Sequence, residues 1–228
     1  MKKKILVLAA VAMLSVFSLT ACKAADVVGK VAGTSFGEVV DKMASSVAYD
    51  DANKSWALKS PSGERFLWSK DFSATDPDLM LEFDAQPFLD AGLDADKLPS
   101  DMYLYDKANN KLMVHAEYGQ DKFRYSGEAT AQDSFKKIIE TYREKIGYHE
   151  TLDHYNIAFG GGNMFEWAKN MSTNDKDIVF VLDPKAFADA GADVSKIEGW
   201  TFAQVEVKDA QGKPELVDKL LKPFDISK

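Results

Sequence analysis

The sequence predicts an α+β protein built from two tandem repeats of about 99 residues. Sliding the chain by 99 residues aligns residues 32–98 with 131–197 without a gap, and 18 of these 67 positions are identical. So long an ungapped match indicates an internal duplication, and each copy is domain-sized, unlike a solenoid unit. We therefore expect one repeat over residues 34–130 and a second over 131–228, related by pseudo-twofold symmetry.

Each repeat is predicted to open with an amphipathic helix. Apolar residues recur three and four positions apart, which places them on one side of a helix. The apolar positions are Phe36, Val39, Val40, Met43 and Val47 in repeat 1, and Phe135, Ile138, Ile139, Tyr142 and Ile146 in repeat 2. Thr34 or Ser35 in repeat 1, and Asp133 or Ser134 in repeat 2, are the expected N-caps.

Alternating apolar residues after each helix predict strands that are buried on one face. Short turns between these strands favour antiparallel pairing, and one helix covering such a sheet is an α+β architecture. A repeated D-x-x-x-F-x-D-A-G-x-D motif predicts a short helix that ends at Gly92 or Gly191. Helical spacing also recurs at 215–221. The predicted strands include residues 56–58, 66–68, 79–83, 102–106, 155–159, 178–182 and 200–208.

Composition excludes several function classes. The chain has 28 basic and 36 acidic residues, a formal charge of −8, whereas a nucleic-acid groove needs clustered lysine and arginine. A single cysteine excludes a disulfide framework and a cysteine-rich zinc site. The sequence has no nucleophile elbow, HExxH pair, P-loop or dinucleotide-binding glycine motif, so it favours binding over catalysis and names no cofactor.

The N-terminus has the pattern of a secretory signal. Three lysines at 2–4 precede an apolar run at 5–19 that is too short for an ordinary membrane-spanning helix. The following LTAC segment, residues 19–22, resembles the lipobox of bacterial lipoproteins. That resemblance implies removal of residues 1–21, acylation of Cys22, and anchoring outside the cytoplasm to the cell membrane or the outer membrane. Residues 22–33 are then expected to form a short, lipidated flexible tether.

A repeated F-x-W-x-K motif, at 66–70 and 165–169, is the first candidate for ligand binding. On a strand, its aromatic rings and lysine share one face. If that face is exposed, it could hold an anionic aromatic compound or a sugar ring by stacking and charge. If it is buried, the rings are core residues and the lysine head reaches water, an alternative favoured by retention in both copies. The candidate ligand-binding residues are Trp68, Lys70, Trp167, Lys169, Trp56 and Tyr155.

A histidine cluster is a weaker candidate. His149 and His154 flank Glu150 and Asp153, and imidazole with carboxylate suits zinc, copper or nickel. The two histidines are five residues apart across a predicted helix end and strand start, and repeat 1 has no histidine at either position. We therefore treat His149, His154 and Asp153 as weak metal-ligand candidates that could also serve an enzyme, while packed or surface histidines remain the simpler interpretation.

These observations favour a membrane-anchored extracytoplasmic lipoprotein that binds a small molecule through its duplicated α+β modules. Small-molecule sites tend to lie at interfaces between units, so a cleft between the repeats or on a sheet face is the expected place. The alternative is a protein-interaction lipoprotein, such as an inhibitor, an assembly factor or an adhesin, with no small-molecule ligand. A broad exposed apolar surface would favour that alternative.

Overall fold

The structure, a computed structural model, describes residues 22–70, 78–116, 129–149, 153–171, 177–208 and 214–224. Repeat 1 contains α1 Cys22–Lys42, β1 Val47–Asp50, β2 Ser55–Lys59, β3 Arg65–Ser69, β4 Leu79–Asp84, α2 Gln86–Asp90, β5 Tyr103–Asp106 and β6 Lys111–Ala116. Repeat 2 contains α3 Ala131–Thr141, β7 Ile146–His149, β8 His154–Gly160, β9 Asn163–Ala168, β10 Ile178–Leu182, α4 Lys185–Asp189, β11 Thr201–Lys208 and β12 Pro214–Pro223.

The two repeats have the same topology, which confirms the duplication and the α+β class. Each forms a six-stranded sheet, in the order β1-β2-β3-β4-β6-β5 in repeat 1 and β7-β8-β9-β10-β12-β11 in repeat 2. Neighbouring strands pair antiparallel throughout the described ladders, as the short turns predict. Each repeat therefore folds its sequence in the same order around its own sheet.

A pseudo-twofold axis relates the repeats, because equivalent aromatic residues touch one another. Residues that meet their own counterparts must lie close to a twofold axis. Ring centroids are 3.7 Å apart for Phe36 and Phe135, 3.8 Å for Phe66 and Phe165, and 4.9 Å for Phe88 and Phe187. All six phenylalanines are fully buried, so the axis runs through the core.

The repeats share one hydrophobic core and exchange contacts across it. Helix α1 packs against α3, and each of these helices also contacts the sheet of the other repeat. Ser35 on α1 donates a hydrogen bond to the carbonyl of Ala168 on β9 at 3.0 Å. The indole N–H of Trp68 on β3 donates to the carbonyl of Ala131 on α3 at 3.1 Å. Side-by-side domains would bury these groups separately, whereas here each repeat completes the other.

Three local predictions were wrong at the helix starts. Helix α1 begins at Cys22, so residues 22–33, the predicted flexible tether, are helical, and neither Thr34 nor Ser35 is an N-cap. Helix α3 begins at Ala131 and its N-cap is Thr130, whose hydroxyl oxygen accepts from the backbone N–H of Asp133 at 3.1 Å. Side-chain oxygens at caps satisfy N–H groups that have no partner in the first turn.

The strands also differ from the prediction. Each sheet has an additional edge strand, β1 or β7, directly after the helix and a 3-10 turn. Residues 215–221, predicted helical from their spacing, belong to strand β12, which pairs with β10 on one side and β11 on the other. Two flanking ladders satisfy its backbone, and this tertiary pairing overrides the helical periodicity of a short apolar segment.

Candidate functional site

A groove of about 640 Å³ opens at the β1 edge of repeat 1. Its walls come from the end of α1, from β1 and β2, from the residue after β3, and from the start of α3. It is therefore assembled from both repeats, because the wall at 129–132 lies where the second repeat begins. The lining residues are Val40, Ala44, Val47, Tyr49, Asp51, Trp56, Lys70, Ala129, Thr130, Ala131 and Gln132.

Two aromatic side chains form a corner in this groove. Tyr49 and Trp56 are direct partners in the β1–β2 ladder, so their side chains lie on the same face. Their rings meet edge to face, with centroids 5.3 Å apart and an interplanar angle of 70°. Tyr49 is exposed and Trp56 is half-buried, so the corner is open to a ligand.

Lys70 supplies the positive charge beside the corner. It directly follows β3, and its Nζ atom lies 5.4 Å from the centroid of the Tyr49 ring, a cation–π distance. Among the described residues, no carboxylate lies within ion-pair distance of this ammonium group. Lys70 is therefore a cation that lies over an aromatic ring at the edge of the groove.

The other polar groups in the groove differ in whether they already have hydrogen-bond partners within the protein. Thr130 caps α3, and the side-chain amide of Gln132 donates to Asp41 on α1 at 2.8 Å, so both have structural partners. Asp51, in the turn after β1, is exposed and contributes a carboxylate to the lining. The groove thus combines an aromatic corner with one cation and one anion.

Repeat 2 carries the same aromatic corner with its lysine already paired. Tyr148 and Tyr155 stand where repeat 1 has Tyr49 and Trp56, with centroids 5.1 Å apart. The Nζ atom of Lys169 lies 5.7 Å from the Tyr148 centroid and 3.6 Å from the Asp153 carboxylate. The hydroxyl of Tyr148 also donates a hydrogen bond to Asp153. Burial, with the Asp153 charge adding to it, raises the pKa of Tyr155.

One turn position accounts for this difference in charge. Asp153 precedes β8 as Lys54 precedes β2, and the two residues share a left-handed backbone with φ of 56° and 49°. Aspartate is better suited than lysine to that conformation. At the equivalent position, repeat 2 has a carboxylate that holds its lysine, and repeat 1 has a second cation.

The six predicted ligand-binding residues include both buried core residues and residues that line the groove. Trp68 and Trp167 are fully buried on the inner faces of β3 and β9, so the prediction that they contact a ligand is corrected: both are core residues. Tyr155 is also buried, at 4% exposure. Lys70 and Lys169 lie beyond the strand ends, where their ammonium groups reach solvent. Of the six candidates, Trp56 and Lys70 line the groove.

The histidine cluster does not converge in the described region. His154 is buried on β8 with its Nδ1 atom 3.8 Å from the Glu166 carboxylate, while Asp153 points to Lys169. His149 pairs with His154 in the β7–β8 ladder, and its side chain, like all of Glu150, lies outside the described residues. Within the described ranges, no three histidine, cysteine, aspartate or glutamate side chains could hold a metal ion.

Several groove residues were missed in the sequence. Tyr49 is identical in both copies, a signal that could have marked it. Ala44 has a long Arg143 at the equivalent position, so the difference between the copies marks the open side. Nothing in the sequence around β1 and β2 indicates the wall at 129–132, because it lies where repeat 2 begins.

Cys22 is the first residue of α1, residues 1–21 lie outside the described ranges, and none of the described helices is both long and apolar enough to cross a membrane. The chain matches no protein-family model, no curated protein and no solved structure.

Proposed function

We propose that this chain is a membrane-anchored extracytoplasmic lipoprotein that binds a small, ring-bearing molecule in the groove of repeat 1. The observation that carries the proposal is the open aromatic corner of Tyr49 and Trp56, with the ammonium group of Lys70 beside it. Sites for small molecules are concave, mostly apolar, and contain a few polar groups that orient the ligand. The groove has this composition, and its volume suits a ligand of one or two rings.

The aromatic corner explains the preference for a ring. Edge-to-face aromatic pairs leave a ring face open, and a flat ligand stacks there with little loss of conformational entropy. Val40 and Val47 supply the apolar remainder of the wall, so the ring buries against both aromatic and aliphatic surface.

The lipid anchor and the groove are connected by one element. Helix α1 begins at Cys22, the predicted acylation site, and Val40 near its other end lines the groove. At 1.5 Å per residue, these two positions are about 27 Å apart along the helix axis. In this proposal the helix holds the binding site at a defined distance from the membrane, where a flexible tether would not.

Blocking the groove tests the binding proposal. Ala44→Arg introduces the residue that repeat 2 carries at the equivalent position, so the backbone accommodates it, and the long side chain fills the groove. Ligand-observed NMR on detergent-purified protein would compare indole-3-acetate, indole-3-acetamide, glucuronate and glucose. We expect at least one of these ring compounds to bind the wild type, and Ala44→Arg to abolish that binding.

The matched control is Ser45→Arg, because Ser45 is the exposed neighbour in the same 3-10 turn and does not line the groove. This variant should bind like the wild type. Equal binding by the Ala44→Arg protein, or no binding of any ring compound to the wild type, would overturn the proposal.

Removing the acylation site tests the anchor. Cys22→Ser should move the protein from the membrane fraction to the soluble extracytoplasmic fraction, and intact mass should show the loss of the acyl groups. A wild-type protein that is not acylated, or a Cys22→Ser protein that stays in the membrane fraction, would refute anchoring through Cys22 while leaving the groove proposal open.

A further inference from the structure

We infer that strand β11 pairs antiparallel with β11 of a second copy of this chain, centred on Gln204, and that the protein thereby forms a dimer. The inference is independent of the groove in repeat 1. It rests on the edge strand of the second sheet and on a hairpin extension that repeat 1 does not have.

The β11–β12 hairpin is longer than the β5–β6 hairpin, its counterpart in repeat 1. In repeat 1, Leu112 on β6 pairs with Phe83 on β4. In repeat 2, Leu182 on β10, 99 positions after Phe83, pairs with Leu220 on β12. Beyond these equivalent leucines the β5–β6 ladder has one further residue pair, whereas the β11–β12 ladder has six. Since repeat 1 completes its sheet without such an extension, the repeated fold does not require it.

The extension is a two-stranded ribbon in the part of the chain that the structure describes. Strand β10 pairs with β12 over residues 220–223, so β11 is the described partner strand for residues 214–219. Two strands alone form a marginally stable structure in water, and a third strand stabilises it. A strand added along the outer edge of β11 would supply that support over the whole ribbon.

Strand β11 differs from the other edge strands in length. The two sheets end in β1, β5, β7 and β11, and the first three have four residues each, whereas β11 has eight. Proteins protect sheet edges with short strands, prolines, charges or bulges. Strand β11 has no proline, its register with β12 is unbroken, and its first five residues, 201–205, carry no charge. Among the described strands, none pairs with its outer edge.

Two exposed apolar side chains lie beside this edge. Phe202 on β11 is 38% exposed and Leu216 on β12 is 58% exposed. Phe202 pairs with Leu220, and Leu216 is four residues before Leu220, so both project from the same face of the ribbon. Each of these side chains alone would be ordinary, but together they give the open edge an apolar border that a dimer would cover.

Twofold symmetry makes a second copy the partner that fits. An axis through Gln204, normal to the sheet, pairs residues 201–207 of one copy with 207–201 of the other, and the association closes at two copies. Phe202 then lies opposite Glu206 of the second copy, in the same transverse row as Leu216 of that copy. The exposed apolar residues of each copy are thereby brought to the other.

Charge selects this register and permits the contact. An axis through Val205 would place the two Glu206 residues diagonal to each other, where like charges repel. With the axis through Gln204 they are about 14 Å apart, beyond the Debye length of about 8 Å in physiological salt. Glu206 is the one charged residue in the paired stretch, so two copies can meet here although each chain has a formal charge of −8. The contact is about 24 Å long, near the lower limit of about 1,000 Å² for a specific interface, and we expect dimerisation at micromolar concentration.

Disulfide trapping tests the position of the axis. Gln204→Cys is made in the Cys22→Ser chain, so that the new cysteine is the sole thiol. The two copies of residue 204 lie directly opposite each other, within disulfide reach, and mild oxidation should give a covalent dimer on a non-reducing gel. The matched control is Asp218→Cys, because Asp218 is exposed and is the direct partner of Gln204 on β12. Its two copies would be roughly 14 Å apart, three strand spacings, so this variant should stay monomeric on the gel.

Sedimentation measures the same association without a cross-link. The Cys22→Ser chain should form a dimer as its concentration rises from micromolar to submillimolar. Gln204→Lys places two positive charges opposite each other on the axis and should raise the dimer dissociation constant about fivefold. Ser45→Lys adds the same charge at an exposed position in repeat 1 and should leave that constant unchanged. A chain that stays monomeric, equal trapping at positions 204 and 218, or a dimer that Gln204→Lys does not weaken would each overturn the inference.

Discussion

Gly92 and Gly191 face one another across the pseudo-twofold axis, and a Cβ atom on either would lie 3.2 Å from the carbonyl oxygen of the other. Their φ angles are +97° and +100°. Two reciprocal backbone hydrogen bonds flank them, from the N–H of Asp94 to Ala190 at 2.9 Å and from the N–H of Asp193 to Ala91 at 2.7 Å. The glycines therefore set how closely the two repeats approach.

A substitution at this glycine contact should lower the free energy of unfolding by more than the cost of the positive φ angle alone. A positive φ at alanine costs about 1–2 kcal/mol. Gly92→Ala adds a contact with backbone that cannot move without separating the repeats. Urea unfolding should show a loss of more than about 2 kcal/mol.

Gly63→Ala is the matched control, because Gly63 has a φ of +101° and a Cβ atom there would have no described atom within 4 Å. It should lose the conformational cost only, about 1–2 kcal/mol. Equal losses in Gly63→Ala and Gly92→Ala would show that the glycine contact does not constrain the interface.

A single repeat should not fold as a monomer. An isolated segment 131–228 would expose Phe135, Phe165 and Phe187, which are fully buried against their counterparts in the whole chain. Burying such a side chain contributes about 1.5–3 kcal/mol, and a domain's net stability is only about 5–15 kcal/mol. Thermal unfolding of the segment at micromolar concentration should lack a cooperative transition. A cooperative transition from a monomeric segment would contradict the shared core.

The repeat pattern made the α+β class and the duplication predictable, because a duplicated helical stripe and duplicated alternation can be recognised without knowing how the copies pack. The helix starts were less predictable. The hydroxyl of Ser35 is used across the interface on Ala168, not at a helix end, and only the packed structure reveals that acceptor. Tertiary partners of this kind leave no local signal.

The groove shows the same limit. Trp56 and Lys70 could be named from the sequence, but periodicity could not separate them from Trp68, which is the direct cross-strand partner of Trp56 and is fully buried. The wall at 129–132 lies at the start of repeat 2, so its position depends on the pseudo-twofold packing. A difference between the copies, Ala44 against Arg143, marks the groove better than the shared motif does.

Ser35 and Ser134 are equivalent residues in unequal surroundings, which makes a matched pair of variants. Ser35 donates to the carbonyls of Ala168 and Lys169, both at 3.0 Å, whereas the fully buried Ser134 hydroxyl has no hydrogen-bond partner among the residues that the structure describes. Ser35→Ala should lower the free energy of unfolding by about 1 kcal/mol, since the buried carbonyl of Ala168 and the partly buried carbonyl of Lys169 lose their shared donor. Ser134→Ala should be neutral or stabilising, because it removes an unsatisfied polar group. Equal losses in urea unfolding would contradict the asymmetry.

Tyr142 should make the fold sensitive to alkaline pH. Burial, followed by the nearby charges of Asp78 and Glu144, raises the pKa of Tyr142 to about 12. In the unfolded chain this pKa is about 10, so the folded state holds the proton more tightly. The resulting stabilisation is complete below pH 10 and is lost as the pH rises from 10 towards 12, by up to about 1.4 kcal/mol per pH unit.

Tyr142→Phe isolates this contribution, because it keeps the ring in the core and removes the titrating hydroxyl. Urea unfolding at pH 9, 10 and 11 should give a smaller decrease in stability for the variant than for the wild type. Lysines and the other tyrosines titrate in both proteins, so their effect cancels in the difference. If the stability of the two proteins fell in parallel with pH, Tyr142 would have the same pKa in the folded and unfolded states. The burial of Tyr142 would then not explain a loss of stability at high pH.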